Sequence, residues 1–135
     1  MNILLDTHIA LWAIADDPKL SEHAKNLISD EDNNIYYSAV SVWEVLLKNQ
    51  SLSNNLHLTP DDFIQYCNES GYYPLNLCEK HIVEASILDI KEADAVGHRD
   101  PFDRILIAQA KSEHYNLITH DPKMKLYHEK CVIEV

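Results

Sequence analysis

Four acidic side chains stand where an α/β fold would bring them together: Asp6, Glu44, Asp103 and Asp121. Asp6 follows the apolar run 3–5, and Asp121 comes just after the apolar run 117–119. The other two lie in segments predicted as helices that follow a strand or open near a strand end. Ligand sites of open parallel sheets lie beyond the carboxyl ends of the strands. We therefore expect the four carboxylates to share one edge of a sheet.

Glu44 has the most unusual surroundings of the four, because apolar residues flank it on both sides within the segment 42–47. A carboxylate in so apolar a helix is costly to bury alone, and a metal ion or a partner would offset that cost. Several carboxylates pushed together also repel one another unless a cation neutralises them. Oxygen-only ligand sets of this kind suit Mg²⁺ or Mn²⁺ better than zinc. The sequence thus predicts a site for Mg²⁺ (or Mn²⁺).

Ordinary structural roles would also account for these residues one at a time. The segment that opens with Asp100 and Pro101 is a good helix start, with Asp100 as N-cap and Pro101 at the first helical position. Asp121 and Pro122 could begin a turn. A single salt bridge to a lysine or arginine would explain Glu44. Because capping accounts for it equally well, Asp100 is the weaker candidate for a metal ligand.

The elements that must position these residues alternate between strands and helices. Strands are predicted at 3–5, 35–38, 72–75, 117–119 and 131–135. Helices are predicted at 8–15, 21–30, 41–49, from 60 onward, 78–90 and 100–114. Ser21 and Thr59 are the expected N-caps, and Asn116 the expected stop of the last helix. This alternation predicts one α/β domain over 1–135, with a central parallel sheet of about five strands flanked by helices.

Composition limits the classes of function that remain. The chain has 135 residues and only two glycines, Gly71 and Gly97, which rules out a glycine-rich phosphate cradle. Lys and Arg total 11 against 22 Asp and Glu, a formal net charge of -11, which argues against a protein that coats duplexes through a basic face. A metal-centred enzyme stays open because bound cations supply positive charge locally. The acidic balance also leaves room for a basic protein partner.

Cysteines, histidines and the chain start bear on location. The three cysteines, Cys67, Cys78 and Cys131, have no C-x-x-C spacing, so a reducing cytoplasm is expected. The first residues lack the basic start of a signal peptide, and no apolar run approaches the ~18 residues of a membrane span. We therefore predict a cytoplasmic protein with no membrane partner. The eight histidines have no metal-ligand spacing, and most are expected at the surface.

Taken in order, four segments resemble a known family: LLDTH at 4–8, SAVSVWE at 38–44, HRDPFDRILIAQA at 98–110 and LITHD at 117–121. The ordered set is similar to the PIN domain, and more narrowly to the VapC-type toxins of bacterial toxin–antitoxin pairs. The resemblance covers essentially the whole chain. The long third segment is its most specific part.

The resemblance implies a metal-dependent endoribonuclease that hydrolyses RNA phosphodiester bonds with a metal-activated water. It also implies a cognate antitoxin protein as partner and a homodimer. Asp6, Glu44, Asp103 and Asp121 match the family's four acidic positions. Thr7 matches the hydroxyl residue that often supports the first aspartate. The family pattern requires Asp103 of the third segment and not Asp100.

Basic groups that would guide an RNA substrate are few in so acidic a chain. Those next to the motifs are candidates for phosphate contacts: His98, Arg99, Arg104, Lys123 and Lys125. Thr7, Arg99 and Arg104 are the residues predicted to bind substrate.

Three alternatives remain at this stage. A haloacid-dehalogenase-type phosphatase also places an Asp after its first strand, but it usually needs a second Asp at the position that His8 holds. A catalytically silent PIN-like module that binds metal or RNA would keep the same carboxylates. A nuclease acting on DNA flaps is disfavoured by the small size of the chain and by its lack of added DNA-binding elements.

Overall fold

Five short parallel strands form the central sheet of the computed structural model, which describes residues 1–51 and 57–135. The strands are β1 (Asn2–Leu5), β2 (Asn34–Ser38), β3 (Tyr73–Leu75), β4 (Asn116–Thr119) and β5 (Val132–Glu134). Their order across the sheet is β3-β2-β1-β4-β5, and each neighbouring pair is parallel. The predicted α/β class, with a parallel sheet of five strands, is confirmed.

Helices connect the strands and cover both faces of the sheet. They are α1 (Thr7–Ile14), α2 (Glu22–Ser29), α3 (Ala39–Gln50), α4 (Pro60–Glu69), α5 (Glu79–Ser86), α6 (Lys91–Ala95), α7 (Pro101–Glu113) and a 3-10 helix (Pro122–Tyr127). Ser21, Thr59 and Asp100 cap α2, α4 and α7, as the sequence predicted. No helix within 1–51 or 57–135 combines the length and the apolar character that crossing a bilayer requires.

Strand β1 shows how the sheet is buried on both faces. Ile3 and Leu5 belong to one hydrophobic cluster, whereas Leu4 belongs to the other, and all three are fully buried. The first cluster takes its helical residues mainly from α1, α2 and α4, and the second mainly from α7 and the 3-10 helix. A strand covered on both sides is apolar at every position, since both alternating faces enter a core. This explains why the predicted strands read as uninterrupted apolar runs.

The helix predicted at 78–90 is wrong in its second half. Helix α5 ends at Ser86, and a second short helix begins at Lys91. Between them Leu88 turns into the core, and the Asp89 carboxylate accepts the backbone N–H of Lys91 at 3.1 Å. Burial of one leucine and an aspartate turn therefore overcome a helical pattern that is continuous in the sequence.

The predicted stop at Asn116 is also wrong. Helix α7 ends earlier, because His114 adopts the left-handed conformation with φ of 59°, and Asn116 opens β4 instead. The 3-10 helix after Asp121 was not predicted. Its start is nevertheless visible in the sequence, since Asp121 caps it and Pro122 takes its first position.

Register at the carboxyl edge fixes where the candidate site lies. Leu5 pairs with Ile118, and the backbone N–H of Asp6 donates to the Ile118 carbonyl at 3.1 Å. The first residues beyond β1 and β4 are therefore neighbours. Strand β2 ends at Ser38 on the other side of β1, and α3 starts at the next residue. The residues that follow three adjacent strands of the sheet, β2, β1 and β4, therefore lie at one edge.

Candidate active site

Asp6 lies at the centre of this edge with both carboxylate oxygens engaged. Oδ1 accepts the backbone N–H of Thr7 at 2.7 Å, which caps α1, and Oδ2 accepts the hydroxyl of Thr119 at 2.7 Å. The residue is only 5% exposed. Burial raises the pKa of Asp6, and the Thr119 hydrogen bond partly opposes that shift. Its orientation is therefore fixed by two strands and one helix.

Glu44 reaches the same edge from α3 and is 9% exposed. Its Oε1 accepts the Thr7 hydroxyl at 2.7 Å, and that hydroxyl also lies 2.8 Å from Ser41 Oγ. The Lys48 ammonium is 4.0 Å from Oε2, at the limit of an ion pair. Burial raises the pKa of Glu44, with the Thr7 hydrogen bond opposing it. A single salt bridge is therefore an insufficient account of this residue.

Thr7 was predicted to bind substrate, and the structure gives it a different place. The residue is 1% exposed, and its hydroxyl lies between Ser41 and Glu44. A hydroxyl with both partners inside the protein holds Glu44 in position. The hydroxyl therefore supports Glu44, and a substrate contact by Thr7 stays a prediction.

Asp103 and Asp121 meet at one imidazole. His98 Nε2 lies 3.0 Å from Asp103 Oδ2 and 3.4 Å from Asp121 Oδ2. Asp103 is in the first turn of α7, and Asp121 caps the 3-10 helix by accepting the Lys123 backbone N–H at 2.9 Å. The structure therefore brings all four predicted carboxylates to one edge of the sheet.

Burial and mutual repulsion act together at Asp103. Burial, followed by the charges of its acidic neighbours, raises the pKa of Asp103 to about 8. Those neighbours are Asp6, Asp100, Glu44 and Asp121. A cation among them would remove the repulsion and restore the ionised form. The donor set therefore fits a hard divalent cation such as Mg²⁺ or Mn²⁺.

Asp100, the weaker candidate for a metal ligand, is the N-cap of α7. It is exposed, and its Oδ1 accepts the backbone N–H of Phe102 at 2.8 Å and of Asp103 at 3.4 Å. Its charge still contributes to the raised pKa of Asp103. A role for Asp100 as a metal ligand stays a prediction.

The two arginines predicted to bind substrate differ in their surroundings. The Arg104 guanidinium donates to Tyr127 Oη at 3.0 Å, to Asp94 Oδ1 at 2.9 Å and to the His98 carbonyl at 3.0 Å. These bonds hold the loop before α7, and a substrate contact by Arg104 stays a prediction. Arg99 is exposed, with its Nε 3.3 Å from Asp94 Oδ1, and remains a predicted phosphate contact.

Two further lysines had been candidates for phosphate contacts. Lys123 and Lys125 are exposed, and the Lys125 ammonium lies 3.9 Å from Glu134. Lys48, which no motif singled out, stands one helical turn after Glu44, with its ammonium 4.0 Å from Glu44 Oε2. Its i,i+4 spacing on a predicted helix was the available signal.

Histidines are mostly at the surface, as predicted, with two exceptions. His81 and His98 are buried, whereas the other six are exposed. His81 lies outside the carboxylate cluster and bonds to Glu113 at 2.8 Å. His98, a candidate phosphate contact because it adjoins a motif, lies buried among Asp103, Asp121 and Tyr127.

An aromatic recess adjoins the carboxylates. It measures about 310 Å³ and is lined by Asp6, Asp121, His8, Trp12 and His120. The Trp12 ring lies 5.8 Å from the His8 ring and 5.2 Å from the His120 ring, measured between centroids. The sequence analysis did not single out this group. The i,i+4 spacing of His8 and Trp12 on α1 was the signal that could have found it.

A cluster of buried and half-buried carboxylates beyond the strands of a five-stranded parallel sheet defines an acidic, metal-compatible site on an α/β domain. The sequence profile of the PIN domain family matches residues 3–130, and the chain belongs to this family. The family resemblance stated from the motifs is thereby confirmed. A search of curated proteins finds no match to the chain.

Several solved structures share the fold across the full chain. A chain in the structure of VapBC2 from Rickettsia felis, bound to a DNA fragment from their promoter, is 17% identical with a TM-score of 0.68, and the match covers 100% of this chain and 98% of that one. A chain of DNA-bound VapBC from Salmonella typhimurium is 15% identical with a TM-score of 0.68, covering 99% and 98%. FitAcB from Neisseria gonorrhoeae is 19% identical with a TM-score of 0.59, covering 98% and 96%. These likenesses concern the fold.

Proposed function

We propose that the protein is a Mg²⁺- or Mn²⁺-dependent endoribonuclease and the toxin of a toxin–antitoxin pair. The observation that carries the proposal is the gathering of Asp6, Glu44, Asp103 and Asp121, where burial and then repulsion raise the pKa of Asp103 to about 8 in the absence of a cation. A strongly shifted carboxyl among several others is typical of a site built for a positive charge. Membership of the PIN domain family supports the nuclease assignment.

The four carboxylates would hold the cation between them. When bound, a divalent ion supplies positive charge to the scissile phosphate and lowers the pKa of a water. Asp6 has no freedom to turn, because both its oxygens accept hydrogen bonds at 2.7 Å. A fixed ligand of this kind keeps the reacting groups in register.

Glu44 is the residue best placed to receive a proton. Thr7 occupies its Oε1, which leaves Oε2 facing the Lys48 ammonium at 4.0 Å. Burial raises the pKa of Glu44 toward the range in which a carboxylate accepts a proton from water efficiently. Lys48 offers a positive charge beside it for a phosphate oxygen. Attack by the deprotonated water on phosphorus breaks one P–O bond of the RNA, and the departing oxygen takes up a proton.

The aromatic recess supports a nucleic acid with unpaired bases as the substrate. Trp12, His8 and His120 lie beside Asp6 and Asp121, so a base seated there would place its own backbone near the carboxylates. Stacking on aromatic rings is the usual way in which proteins hold single-stranded RNA. Stacking also needs few basic residues, and this acidic chain has few.

A cognate antitoxin and a second copy of the chain are the proposed protein partners, in the cytoplasm. The formal net charge of -11 favours a basic partner segment, because a basic side chain would neutralise the acidic edge in place of a metal ion. The similar structures carry VapBC and FitAcB names, which supports a paired protein. Three free cysteines agree with a reducing compartment.

Cleavage of RNA by the purified chain tests this function. We expect endonucleolytic products with Mg²⁺ or Mn²⁺, none after chelation, and recovery when either ion is added back. Asp6→Asn should remove cleavage while leaving the circular dichroism spectrum unchanged. Asp61→Asn is the matched control, because Asp61 is exposed in the first turn of α4 and is not one of the four carboxylates. RNA binding without cleavage under all these conditions would indicate the silent binding module instead.

A further inference from the structure

His98 is a buried imidazole inside the acidic cluster that the carboxylate chemistry alone does not require. It lies in the loop between α6 and α7 and is 8% exposed. Its Nε2 points between two carboxylates of different elements, 3.0 Å from Asp103 Oδ2 and 3.4 Å from Asp121 Oδ2. One Nε2–H makes only one strong hydrogen bond. At least one of the two carboxylate oxygens therefore has no strong hydrogen bond from His98 in either tautomer.

The other ring nitrogen has a partner that fits either tautomer. His98 Nδ1 lies 2.8 Å from Tyr127 Oη, and that phenol oxygen also accepts Arg104 Nε–H at 3.0 Å. With the proton on Nε2, Tyr127 donates to Nδ1 and His98 donates to Asp103. With the proton on Nδ1, the phenol accepts from His98 and Arg104 and donates to the His98 carbonyl, which lies at 3.5 Å. The second arrangement leaves Nε2 as a bare lone pair directed at the carboxylates.

We propose that His98 binds the active-site cation through Nε2, together with Asp103 and Asp121, and that this nitrogen favours Mn²⁺ over Mg²⁺. The inference rests on the carboxylate metal site proposed above, and it adds a ligand of a different chemical kind to that site. These three residues offer ligand atoms that all lie within 4.8 Å of one another.

The two separations from Nε2 are close to those between adjacent ligands of a six-coordinate ion. Metal–oxygen bonds of about 2.0–2.1 Å in octahedral geometry put adjacent ligand atoms about 3 Å apart. The observed separations from Nε2 to the two oxygens are 3.0 and 3.4 Å. Metal-binding imidazoles also commonly have their second nitrogen held by a hydrogen bond, which Tyr127 provides here.

Metal preference follows from the change in ligand type. Mg²⁺ favours carboxylate, carbonyl and water oxygens, whereas imidazole suits the transition metals. Affinity for a mixed nitrogen and oxygen site generally rises from Mn²⁺ along the first-row series. A site with His98 as ligand therefore gains more affinity for Mn²⁺ than for Mg²⁺ from this residue.

Pulsed electron paramagnetic resonance of the full-length protein loaded with Mn²⁺ tests the assignment directly. We expect ¹⁴N modulation from a bound imidazole in the wild type. The modulation should disappear in His98→Gln and persist in His8→Gln, whose imidazole lies at the rim of the same cluster. Calorimetric titration should show at least about a tenfold loss of Mn²⁺ affinity in His98→Gln, with a smaller change for Mg²⁺.

The outcomes separate this inference from the proposed function. Mn²⁺ bound stoichiometrically without ¹⁴N modulation would overturn the role of His98 and leave the carboxylate site standing. Modulation that survives in His98→Gln would equally overturn it. No Mn²⁺ binding by the wild type would remove the metal site as a whole. Since the wild-type spectrum decides the first question alone, the test does not depend on how well the variant folds.

Discussion

Thr119 joins the carboxylates at the ends of two strands. Its hydroxyl donates to Asp6 Oδ2 at 2.7 Å and accepts the backbone N–H of Asp121 at 3.1 Å. Thr119 is fully buried, so water does not replace either bond. Because β1 and β4 are adjacent and parallel, one hydroxyl at the end of β4 sets the position of Asp6 and the start of the Asp121 turn.

Replacing Thr119 by valine removes this hydroxyl at nearly constant volume. Asp6 Oδ2 and the Asp121 N–H then lose a buried partner, so the free energy of unfolding should fall by about 1–3 kcal/mol. Urea denaturation measures that loss. Thr119→Ser keeps the hydroxyl and should retain most of the stability. Equal losses in the two variants would show that the methyl group matters and the hydrogen bonds do not.

The Thr7 hydroxyl positions Glu44 as the Thr119 hydroxyl positions Asp6. Its hydroxyl donates to Glu44 Oε1 at 2.7 Å, so Thr7→Val should free that carboxylate to turn. We expect kcat for RNA cleavage to fall about 10- to 100-fold, with KM little changed, because a proton acceptor is misplaced and substrate contacts remain. Thr7→Ser should preserve kcat. A rise in KM alone would instead support Thr7 as a substrate contact.

The positions of the carboxylates could be predicted from the sequence, because each carboxylate lies beside a recognisable local pattern. Asp6 and Asp121 adjoin apolar runs, and parallel order makes their strands neighbours. The partners of these carboxylates could not be predicted in the same way. Ser41 and Thr119 are ordinary polar residues whose importance comes from contacts made over 34 and 113 positions, to Thr7 and Asp6.

The wrong element boundaries have the same physical origin. The pattern at 78–90 is helical throughout, yet burial of Leu88 in the core breaks it. The burial of His98 could not be predicted, because the residues around it in the sequence give no sign that its side chain enters the core. Tyr127 lies 29 positions away and had no motif to draw attention to it. Tertiary packing decided each of these cases.

Metal-free protein should lose stability as pH rises. The pKa of Asp103 is about 8 in the folded protein against an ordinary value of 3.8, so the folded state binds the extra proton between these values. Its contribution is therefore fully present below pH 3.8 and is lost as pH rises through about 8. Burial lowers the pKa of His8 below its ordinary value of 6.5, so this residue makes stability increase with pH below 6.5. The range from pH 6.5 to 8.5 is therefore the informative window.

Thermal melts in chelator across that window provide the measurement. The melting temperature of the wild type should fall with pH, and Asp103→Asn should flatten the fall. Added Mn²⁺ should restore stability at the alkaline end, by about 2.7 kcal/mol when its concentration is 100 times Kd. Asp61→Asn should follow the wild type throughout. A melting temperature that rises with pH in chelator would contradict the assigned repulsion.

Trp12 should determine how tightly RNA binds. Its ring lies between His8 and His120 on the recess beside Asp6 and Asp121, where an unpaired base could stack. Trp12→Leu keeps apolar bulk against the core but removes the aromatic face. Since stacking contributes about 1–3 kcal/mol per base, KM for a short single-stranded RNA should rise about 5- to 150-fold while kcat changes less. Trp12→Phe retains a ring and should show a smaller rise. If leucine and phenylalanine variants matched the wild type in KM, bases would have to bind elsewhere, and the recess would have no part in substrate recognition.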